Sequence, residues 1–269
     1  MITFAVVGRN EAATLEGVLA QASEAAEPGD RVWFVDSDSS DGSAAIASRL
    51  GAEVIRAPAG KGSAMAAAVQ RCETSYICFL DADLVSTTRP VPLVLREALE
   101  RSGASMVVAE FTWRGTGVMS HVIGIWRPLV GDLFPEALGI APRFPLSGFR
   151  ILEADLADGP LPPGFGVETH LSIRAAIEGR QTETVDVGEF VGTIRRQPTL
   201  SMDMATAIFD LAETHGRLDP DVRPRWEAWV DELDAVIASR PPDGGDADAW
   251  RARLAAAASR PRPPRWLAR

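Results

Sequence analysis

Short apolar runs alternate with stretches of helical periodicity in the first part of the chain. The runs have the length and composition of buried strands. They cover residues 2–7, 31–35, 53–56 and 76–80. After the first run, apolar residues recur at helical spacing at Leu15, Val18, Leu19 and Ala22. This alternation predicts an α/β fold with a mostly parallel sheet flanked by helices and joined by right-handed crossovers.

The same periodicities continue less regularly in the second half of the chain. The predicted helices cover residues 91–99, 118–133 and 168–178, and the second of them is expected to be interrupted near Pro128. The predicted strands cover residues 106–109 and 182–187, of which the latter is an edge strand. Residues 144–148 are predicted to form a strand and turn, and residues 160–166 a loop.

Residues from about 202 onward are predicted to form helices, with breaks at Pro220, Pro224 and the pair Pro241-Pro242. The last stretch carries arginines among prolines, at Arg260, Arg262, Arg265 and Arg269. Such a composition predicts a mobile tail or a partner-binding arm.

Composition and charge narrow the function. With 269 residues, 46% of them hydrophobic, the chain has enough apolar side chains for a substantial core. Its formal net charge of −10 disfavours nucleic acid as a partner. The chain starts directly in a strand, without the basic start of a signal peptide, and no apolar stretch is long enough to span a membrane. Cys72 and Cys78 do not form a disulfide framework, so we expect a cytoplasmic protein.

Two aspartates, Asp81 and Asp83, follow the apolar run at residues 76–80, with Ala82 between them. Ligand sites in α/β folds lie at the carboxyl ends of parallel strands, and a buried carboxylate is costly unless it is paired or binds a cation. Carboxylate oxygens suit Mg²⁺ or Mn²⁺, which in turn hold substrate phosphates. We therefore predict Asp83 and Asp81 as metal ligands; a capped strand end is the alternative.

Three other polar segments follow predicted strands in the same way. Asn10-Glu11 follows the first strand, residues 36–43 follow the second, and Lys61 lies in a glycine-flanked loop after the third. Together with Asp81-Ala82-Asp83, in this order and spacing, they resemble the nucleotide-sugar half of GT-A glycosyltransferases. The resemblance implies a GT-A, Rossmann-like fold with a C-terminal helical extension.

The same resemblance implies a division of the chain into domains. Residues 1–204 would form the glycosyltransferase domain, with residues 1–110 as its nucleotide-sugar half and residues 111–204 as its acceptor half. Residues 205–269 would form the helical extension and the basic tail.

The resemblance also implies the residues that bind the nucleotide sugar. Asn10 and Glu11 are expected to touch uracil and ribose, and Ser37 the edge of the base. Lys61 is expected to approach the diphosphate or the base; a solvated loop lysine is the alternative. The full set comprises Arg9, Asn10, Glu11, Asp36, Ser37, Lys61, Asp81, Ala82, Asp83, Arg195 and Arg196.

Motifs further along the chain resemble glucosyl-3-phosphoglycerate synthases and their mannosyl relatives. They are Arg127-Pro128-Leu129, Pro145-Leu146-Ser147-Gly148 and Pro163-Gly164-Phe165-Gly166-Val167-Glu168. The second implies acceptor contacts from Leu146, Ser147 and Gly148. The third implies that Glu168 binds donor-sugar hydroxyls or orients the acceptor, so that Glu168 and Asp83 are the predicted catalytic residues. A first-turn glutamate favoured by the helix dipole is the alternative for Glu168.

Two segments depart from the pattern of that group. Its Arg-x-Thr segment, which grips the acceptor phosphate, corresponds here to a stretch with Ser120 and Val122 at the two positions. Ser120 and His121 are the acceptor contacts predicted there, and a phosphorylated acceptor is disfavoured. The histidine that completes the metal site corresponds to Ile194, so another group or water would complete it, or the metal would be held more weakly.

The sequence therefore predicts a glycosyltransferase that moves a sugar from a UDP-sugar, such as UDP-glucose, to a small soluble acceptor with the help of Mg²⁺ or Mn²⁺. Retention of the anomeric configuration is favoured. Three alternatives remain: a glucosyl-3-phosphoglycerate synthase proper, a nucleotidyltransferase, and a non-catalytic nucleotide-sugar-binding protein, which Ile194 suggests. A nucleotidyltransferase usually needs a glycine-rich, basic loop after the first strand, which residues 8–11 do not supply. A homodimer is left open.

Overall fold

The computed structural model describes residues 1–84, 89–113, 117–190, 197–241 and 246–267. Its strands are β1 (Ile2–Gly8), β2 (Arg31–Asp36), β3 (Glu53–Arg56), β4 (Tyr76–Asp81), β5 (Met106–Trp113), β6 (Arg150–Glu153) and β7 (Thr182–Phe190). They form one sheet in the order β3-β2-β1-β4-β6-β5-β7. The mostly parallel α/β sheet predicted from the sequence is therefore confirmed.

The helices follow the predicted periodicity closely. They are α1 (Leu15–Ala25), α2 (Ser43–Arg49), α3 (Lys61–Val69), α4 (Val91–Ser102), α5 (Gly117–His121), α6 (Arg127–Leu133), α7 (Val167–Ile177), α8 (Leu200–Thr214), α9 (Arg223–Ala238) and α10 (Ala247–Ala258). A π-helical segment, Val122–Trp126, joins α5 to α6, and short 3₁₀ turns cover Pro135–Gly139, Ala154–Ala157 and Pro220–Val222.

Helices cover both faces of the sheet because alternate side chains of each central strand point to opposite sides. In β1, Phe4 belongs to the apolar cluster shared with α1 and α4. The next residue, Ala5, belongs to the cluster shared with α3 and α7. Burial on both faces explains why the central strands read as continuous apolar runs in the sequence.

The register of the sheet brings the polar strand ends together. β1 pairs in parallel with β2 and with β4, so that Gly8 lies opposite Asp36 and Val7 lies opposite Asp81. β6 runs antiparallel to both β4 and β5, and β7 is parallel to β5. The carboxyl ends of β1, β2, β4, β5 and β7 therefore meet at one edge of the sheet, where α/β folds bind ligands.

The antiparallel strand β6 was not predicted. The predicted strand and turn at residues 144–148 is wrong in part, since these residues form turn and loop, and the strand begins at Arg150. β6 has only four residues, and its first is a fully buried arginine. Neither feature is typical of an apolar run.

Two prolines affect the helices differently. The interruption expected near Pro128 is present as the π-helical segment that lies just before this proline. At its end, the N–H of Arg127 donates a hydrogen bond to the carbonyl of Val122. This wider turn accommodates a proline, which has no N–H to donate. The break predicted at Pro224 is wrong, because Pro224 is the second residue of α9, where an N–H is not required.

The C-terminal helices share an apolar cluster with the region around α6. Trp126, Phe209 and Trp226 are among its largest members. Helix α8 begins before residue 204 and ends after it, so the predicted domain boundary falls within a helix.

Residues 260–265, for which the sequence predicts a mobile tail or a partner-binding arm, are mostly exposed but contact α9 and α6. The indole Nε1–H of Trp226 donates to the carbonyl of Pro264 at 3.1 Å. Arg260 pairs with Glu232 at 3.0 Å, and Arg262 pairs with Asp132. Arg269 lies outside the described residues.

Neither of the cysteines forms a disulfide, as expected: Cys72 is half-buried and Cys78 is buried. Within the described ranges, none of the helices combines the length and apolarity needed to cross a bilayer.

Candidate functional site

A cleft of about 620 Å³ opens at the edge of the sheet where the carboxyl ends meet. Most of the predicted site residues line it. They are Arg9, Asn10, Glu11, Ser37, Lys61, Asp81, Ala82, Asp83, Leu146, Gly148 and Glu168. Segments far apart in the sequence thus contribute to one site, and its size suits a small ligand.

The loop after β1 is tied to the loop after β2. Asn10 has a φ of 58°, a left-handed conformation that asparagine tolerates better than most residues. Its Oδ1 accepts a hydrogen bond from the N–H of Ser40 at 2.8 Å, and its own N–H donates to Ser39 Oγ at 2.9 Å. Arg9 Nε donates to the carbonyl of Asp38 at 3.3 Å. These hydrogen bonds hold the two loops together at the end of the cleft that is predicted to bind the nucleotide.

Asp36 and Ser37 have different positions, although they are adjacent. Asp36 is buried, does not line the cleft, and accepts a hydrogen bond at Oδ1 from the N–H of Ser39 at 2.9 Å. It supports the loop rather than facing a ligand. Ser37 lines the cleft, and its Oγ accepts a hydrogen bond from the N–H of Gly60 at 3.0 Å. Oδ1 of Asp41 accepts a hydrogen bond at 2.9 Å from the N–H of Ser43, the first residue of α2.

Lys61 begins helix α3; the prediction that it lies in a loop is wrong. The preceding Gly60 has a φ of 129°, which favours glycine. One of the first amides of α3, that of Ser63, donates to the carbonyl of Pro163 at 3.0 Å, which satisfies an N–H that has no partner within the helix. This contact brings Lys61 to the start of α7, where Glu168 lies.

The ammonium group of Lys61 bridges two carboxylates. Its Nζ lies 2.8 Å from Oδ1 of Asp81 and 2.5 Å from Oε1 of Glu168. The exposed fraction of the side chain is 16% for Lys61, 25% for Asp81 and 4% for Glu168. Burial acts to lower the pKa of Lys61, but the two carboxylates outweigh it and raise that pKa above its ordinary value. The bridge joins the end of β4 to the start of α7 and keeps Lys61 charged.

A second buried cation, Arg150, lies beneath this cluster and was not predicted. Its Nη1 donates to the carbonyl of Glu168 at 3.0 Å and to Ser172 Oγ at 3.2 Å, and its Nη2 donates to the carbonyl of Ser147 at 2.6 Å. Burial lowers the pKa of Arg150 to about 10, so it remains charged at neutral pH. Arg150 therefore fixes the loop at Ser147 against the first turn of α7.

Gly148 packs directly on the ion-pair cluster. A Cβ atom at this position would lie 2.6 Å from Nζ of Lys61 and would overlap the carboxylate of Asp81. No side chain fits here without displacing one of the charged groups. Gly148 thus lies in the cleft as predicted, in contact with the cluster.

The two aspartates of the predicted metal site differ in their surroundings. Asp81 is paired with Lys61, whereas Asp83 is half-buried and lines the same cleft. No three His, Cys, Asp or Glu side chains are placed to hold a metal in the part of the chain that the structure describes. The oxygens of the two aspartates fit Mg²⁺ or Mn²⁺ whose other ligands are substrate phosphates and water. Ile194, Arg195 and Arg196 lie outside the described residues.

Only some of the residues predicted to contact the acceptor lie in the cleft. Leu146 and Gly148 line the cleft, but Ser147 is fully buried and uses its carbonyl to bind Arg150. Ser120 is buried and His121 is half-buried in the short helix α5, and neither lines the cleft.

Sequence reasoning missed most of the aromatic lining of the cleft. Besides Phe165, four phenylalanines contribute to it, Phe111, Phe144, Phe149 and Phe190. The ring centroids of Phe111 and Phe144 are 4.4 Å apart, and those of Phe111 and Phe190 are 5.0 Å apart. Each ring is isolated in the sequence, but Phe111 and Phe190 lie near the carboxyl ends of neighbouring parallel strands, which was the available signal.

Helix α8 and the residues just before it also contribute side chains that were not predicted. Gln197, Thr199, Leu200 and Asp203 line the cleft. Oδ2 of Asp203 accepts hydrogen bonds from the N–H of Phe165 at 2.9 Å and from Thr199 Oγ1 at 3.1 Å. The first turn of α8 therefore fixes the loop that precedes α7.

The chain is similar to known glycosyltransferases. Residues 3–129 match the model of the family described as glycosyl transferase family 2. An uncharacterized glycosyltransferase of Mycobacterium tuberculosis is 32% identical over 184 residues, which cover 56% of this chain and 82% of that protein. Glycosyltransferase AglJ of Haloferax volcanii is 28% identical over 181 residues, covering 65% of this chain and 58% of that protein.

Solved structures of glucosyl-3-phosphoglycerate synthase from Mycobacterium tuberculosis are similar in fold. The complex with phosphoglyceric acid is 26% identical, with a TM-score of 0.67, and the match covers 82% of this chain and 81% of that one. The complex with Mn²⁺, UDP-glucose and glycerol 3-phosphate is 26% identical, with a TM-score of 0.66, and covers 82% of each chain.

Proposed function

Because this chain belongs to the glycosyltransferases and carries a family 2 domain, we propose that it transfers a sugar from a UDP-sugar, such as UDP-glucose, to a hydroxyl group of a small acceptor with the help of Mg²⁺ or Mn²⁺. The structurally similar synthase has been solved with Mn²⁺ and UDP-glucose, which supports this donor and these cations. Membership of this family favours glycosyl transfer over nucleotidyl transfer.

One observation carries the proposal: Lys61 joins Asp81, at the end of β4, to Glu168, at the start of α7. The side chains predicted for the nucleotide and the glutamate predicted for the sugar therefore belong to one cleft. A sugar held between them would have its leaving diphosphate near Asp81 and Asp83 and its hydroxyl groups near Glu168.

In this arrangement the residues of the chain bind and orient the donor. The loops after β1 and β2 hold uracil and ribose, and Ser37 lies beside them at the cleft wall. Glu168, held by Lys61, accepts hydrogen bonds from sugar hydroxyls. A divalent cation bound by Asp83 and Asp81 supplies charge that stabilises the leaving diphosphate.

Retention of the anomeric configuration is part of the proposal. Front-side attack, in which the leaving phosphate takes the proton of the acceptor hydroxyl, needs no nucleophilic side chain. Glu168 and Asp81, the acids nearest the predicted sugar position, are both held in ion pairs by Lys61, which favours a binding role over a nucleophilic one.

The test is incubation with UDP-glucose, Mn²⁺ and a panel of hydroxylated acceptors, read by mass spectrometry, with the product configuration determined by NMR. We expect UDP release that depends on the cation and a product in which the sugar keeps its configuration. A Glu168→Gln variant should lose most of this activity, whereas Glu178→Gln, near the other end of α7, should keep it. Absence of donor turnover with every acceptor would contradict the proposal.

A further inference from the structure

The side chains that line the cleft change in polarity along the edge of the sheet. At the ends of β1, β2 and β4 the lining is polar and charged, and includes Asn10, Ser37 and Asp83. At the other end of the strand order, next to β6, β5 and β7, it includes Phe111, Phe149 and Phe190. The nucleotide is proposed to occupy the polar end, so the aromatic end is left for the acceptor.

The aromatic end is continuous. Phe111 is in contact with three other rings, with centroid distances of 4.4 Å to Phe144, 5.8 Å to Phe149 and 5.0 Å to Phe190. These rings are largely buried against one another, and each keeps part of its surface in the cleft lining. Phe165 and Leu146, both half-buried, also line the cleft, from the loops that precede α7 and β6.

The described residues of the lining carry more acidic than basic side chains. Among the described residues of the lining, Arg9 and Lys61 are the only basic side chains, against five acidic ones, Glu11, Asp81, Asp83, Glu168 and Asp203. Arg9 lies at the nucleotide end, and Lys61 is already paired with two carboxylates. A phosphate placed against the phenylalanines would lose its hydration without gaining a cation from this described lining.

We infer that the acceptor is an uncharged hydroxyl compound with an aromatic or alkyl group, which packs on the phenylalanines while its hydroxyl group points towards the sugar. This inference rests on the proposed function and assigns the acceptor class of the same site. Apolar contact with aromatic rings supplies binding energy without a charge, so an added phenyl group should favour binding by about tenfold or more.

Three acceptors that share one skeleton test the inference: glycerol, its phenyl ether and glycerol phosphate, each with UDP-glucose and Mn²⁺. We expect kcat/KM for the phenyl ether to exceed that for glycerol by about tenfold or more. We expect glycerol phosphate to be no better than glycerol. A preference for glycerol phosphate, or equal values for glycerol and its phenyl ether, would overturn the inference.

Variants test whether the apolar side chains of the cleft determine the preference for the phenyl ether, as distinct from a general loss of activity. Phe165→Ala should lower the ratio of phenyl ether to glycerol transfer by about tenfold, and Leu146→Ala should lower it in the same direction. The control is Leu138→Ala, which truncates a partly exposed apolar side chain outside the cleft and should keep the ratio. An unchanged ratio in both cleft variants would overturn the inference.

A binding measurement distinguishes failure of this inference from failure of the proposed function. Saturation-transfer NMR in the presence of UDP and Mn²⁺ reports contact between the protein and the ring protons of the phenyl ether, whether or not transfer occurs. We expect a signal that weakens in Phe165→Ala and that glycerol phosphate does not compete away. No signal from the ring, or full competition by glycerol phosphate, overturns the acceptor class; lack of UDP release from UDP-glucose counts against the proposed function alone.

Discussion

Nζ of Lys61 lies 2.8 Å from Oδ1 of Asp81, and the same ammonium group contacts Glu168. The structure therefore places one cation between two carboxylates that would otherwise repel each other in a partly dehydrated site. Lys61 therefore neutralises part of the negative charge of Asp81 and Glu168 before a nucleotide sugar and a cation bind at this position.

Lys61→Met should destabilise the protein. Removing the ammonium leaves two carboxylates close together without their partner, and loss of one partner from a buried ion pair costs about 3 kcal/mol. We expect the free energy of unfolding, measured in urea at pH 7, to fall by this order.

The double variant Lys61→Met with Glu168→Gln provides the control for that experiment. Because the amide carries no charge, the double variant should recover part of the lost stability. A loss of stability in the double variant that equals the sum of the losses in the two single variants would show that the pair does not interact as the distances indicate.

Gly148→Ala should impair both stability and UDP-sugar binding. The added Cβ would displace Lys61 or Asp81, because it would lie 2.6 Å from Nζ of Lys61. We expect a loss of about 1–3 kcal/mol, typical of overpacking, and a weaker affinity for UDP by calorimetry. Gly17→Ala is the matched control, since nothing lies within 4 Å of a Cβ there and alanine favours a helix. Equal behaviour of the two variants would contradict the described packing.

Asp83→Asn should remove most of the effect of metal on UDP binding. Asp83 lines the cleft and supplies a hard oxygen ligand, which the neutral amide replaces poorly. We expect calorimetry of the unchanged protein to give a tighter Kd for UDP with Mn²⁺ than without it, and the variant to show little difference between the two conditions. Equal UDP affinity in the unchanged protein with and without Mn²⁺ would refute the role of Asp83.

His170 should make the protein less stable as the pH falls. Burial, and then the charge of Arg174, lowers the pKa of His170 to about 4, and Asp210 offsets part of this. The unfolded chain, with an ordinary histidine pKa of about 6.5, therefore binds a proton that the folded protein does not bind between these values. The stability that His170 contributes is therefore fully present above pH 6.5 and is lost as the pH falls towards 4.

The size of this effect can be isolated with His170→Gln, which has no titrating side chain. Between pH 7 and pH 5 the unchanged protein should lose about 1–2 kcal/mol more than the variant, once partial exposure of the ring is allowed for. Urea unfolding at both pH values measures the difference. Parallel losses in the two proteins would show that the ring titrates normally in the folded state.

The central strands were predictable because each is buried on both faces and appears as an uninterrupted apolar run. The strand β6 was not, because burial of Arg150 depends on carbonyl groups of Ser147 and Glu168 that come from elsewhere in the fold. A sequence pattern has no means to show that an arginine will find such partners.

In the site, too, the sequence predicted features that depend on neighbouring residues but not those that depend on tertiary contacts. Asp81 and Asp83 follow a recognisable strand, so their position in the cleft followed from the order of elements. Lys61 was assigned to a loop because its neighbours, Gly60 and Gly62, are poor helix formers. The helix starts there because one of its first amides meets the carbonyl of Pro163, a residue about a hundred positions later. The aromatic lining comes from separate segments of the chain, and only Phe111 and Phe190, near the ends of neighbouring strands, had a signal in the sequence.

The insertion of β6 between β4 and β5 has a consequence for the order in which the sheet can assemble. β5 forms its hydrogen bonds with β6 and β7 and none of its paired residues belongs to β4. During synthesis, the half made of β3, β2, β1 and β4 is complete once residue 81 has emerged, whereas β5 has no neighbour until residues 150–153 follow. Completion of the sheet therefore waits for β6, and until it pairs, one edge of β4 stays open to misassociation.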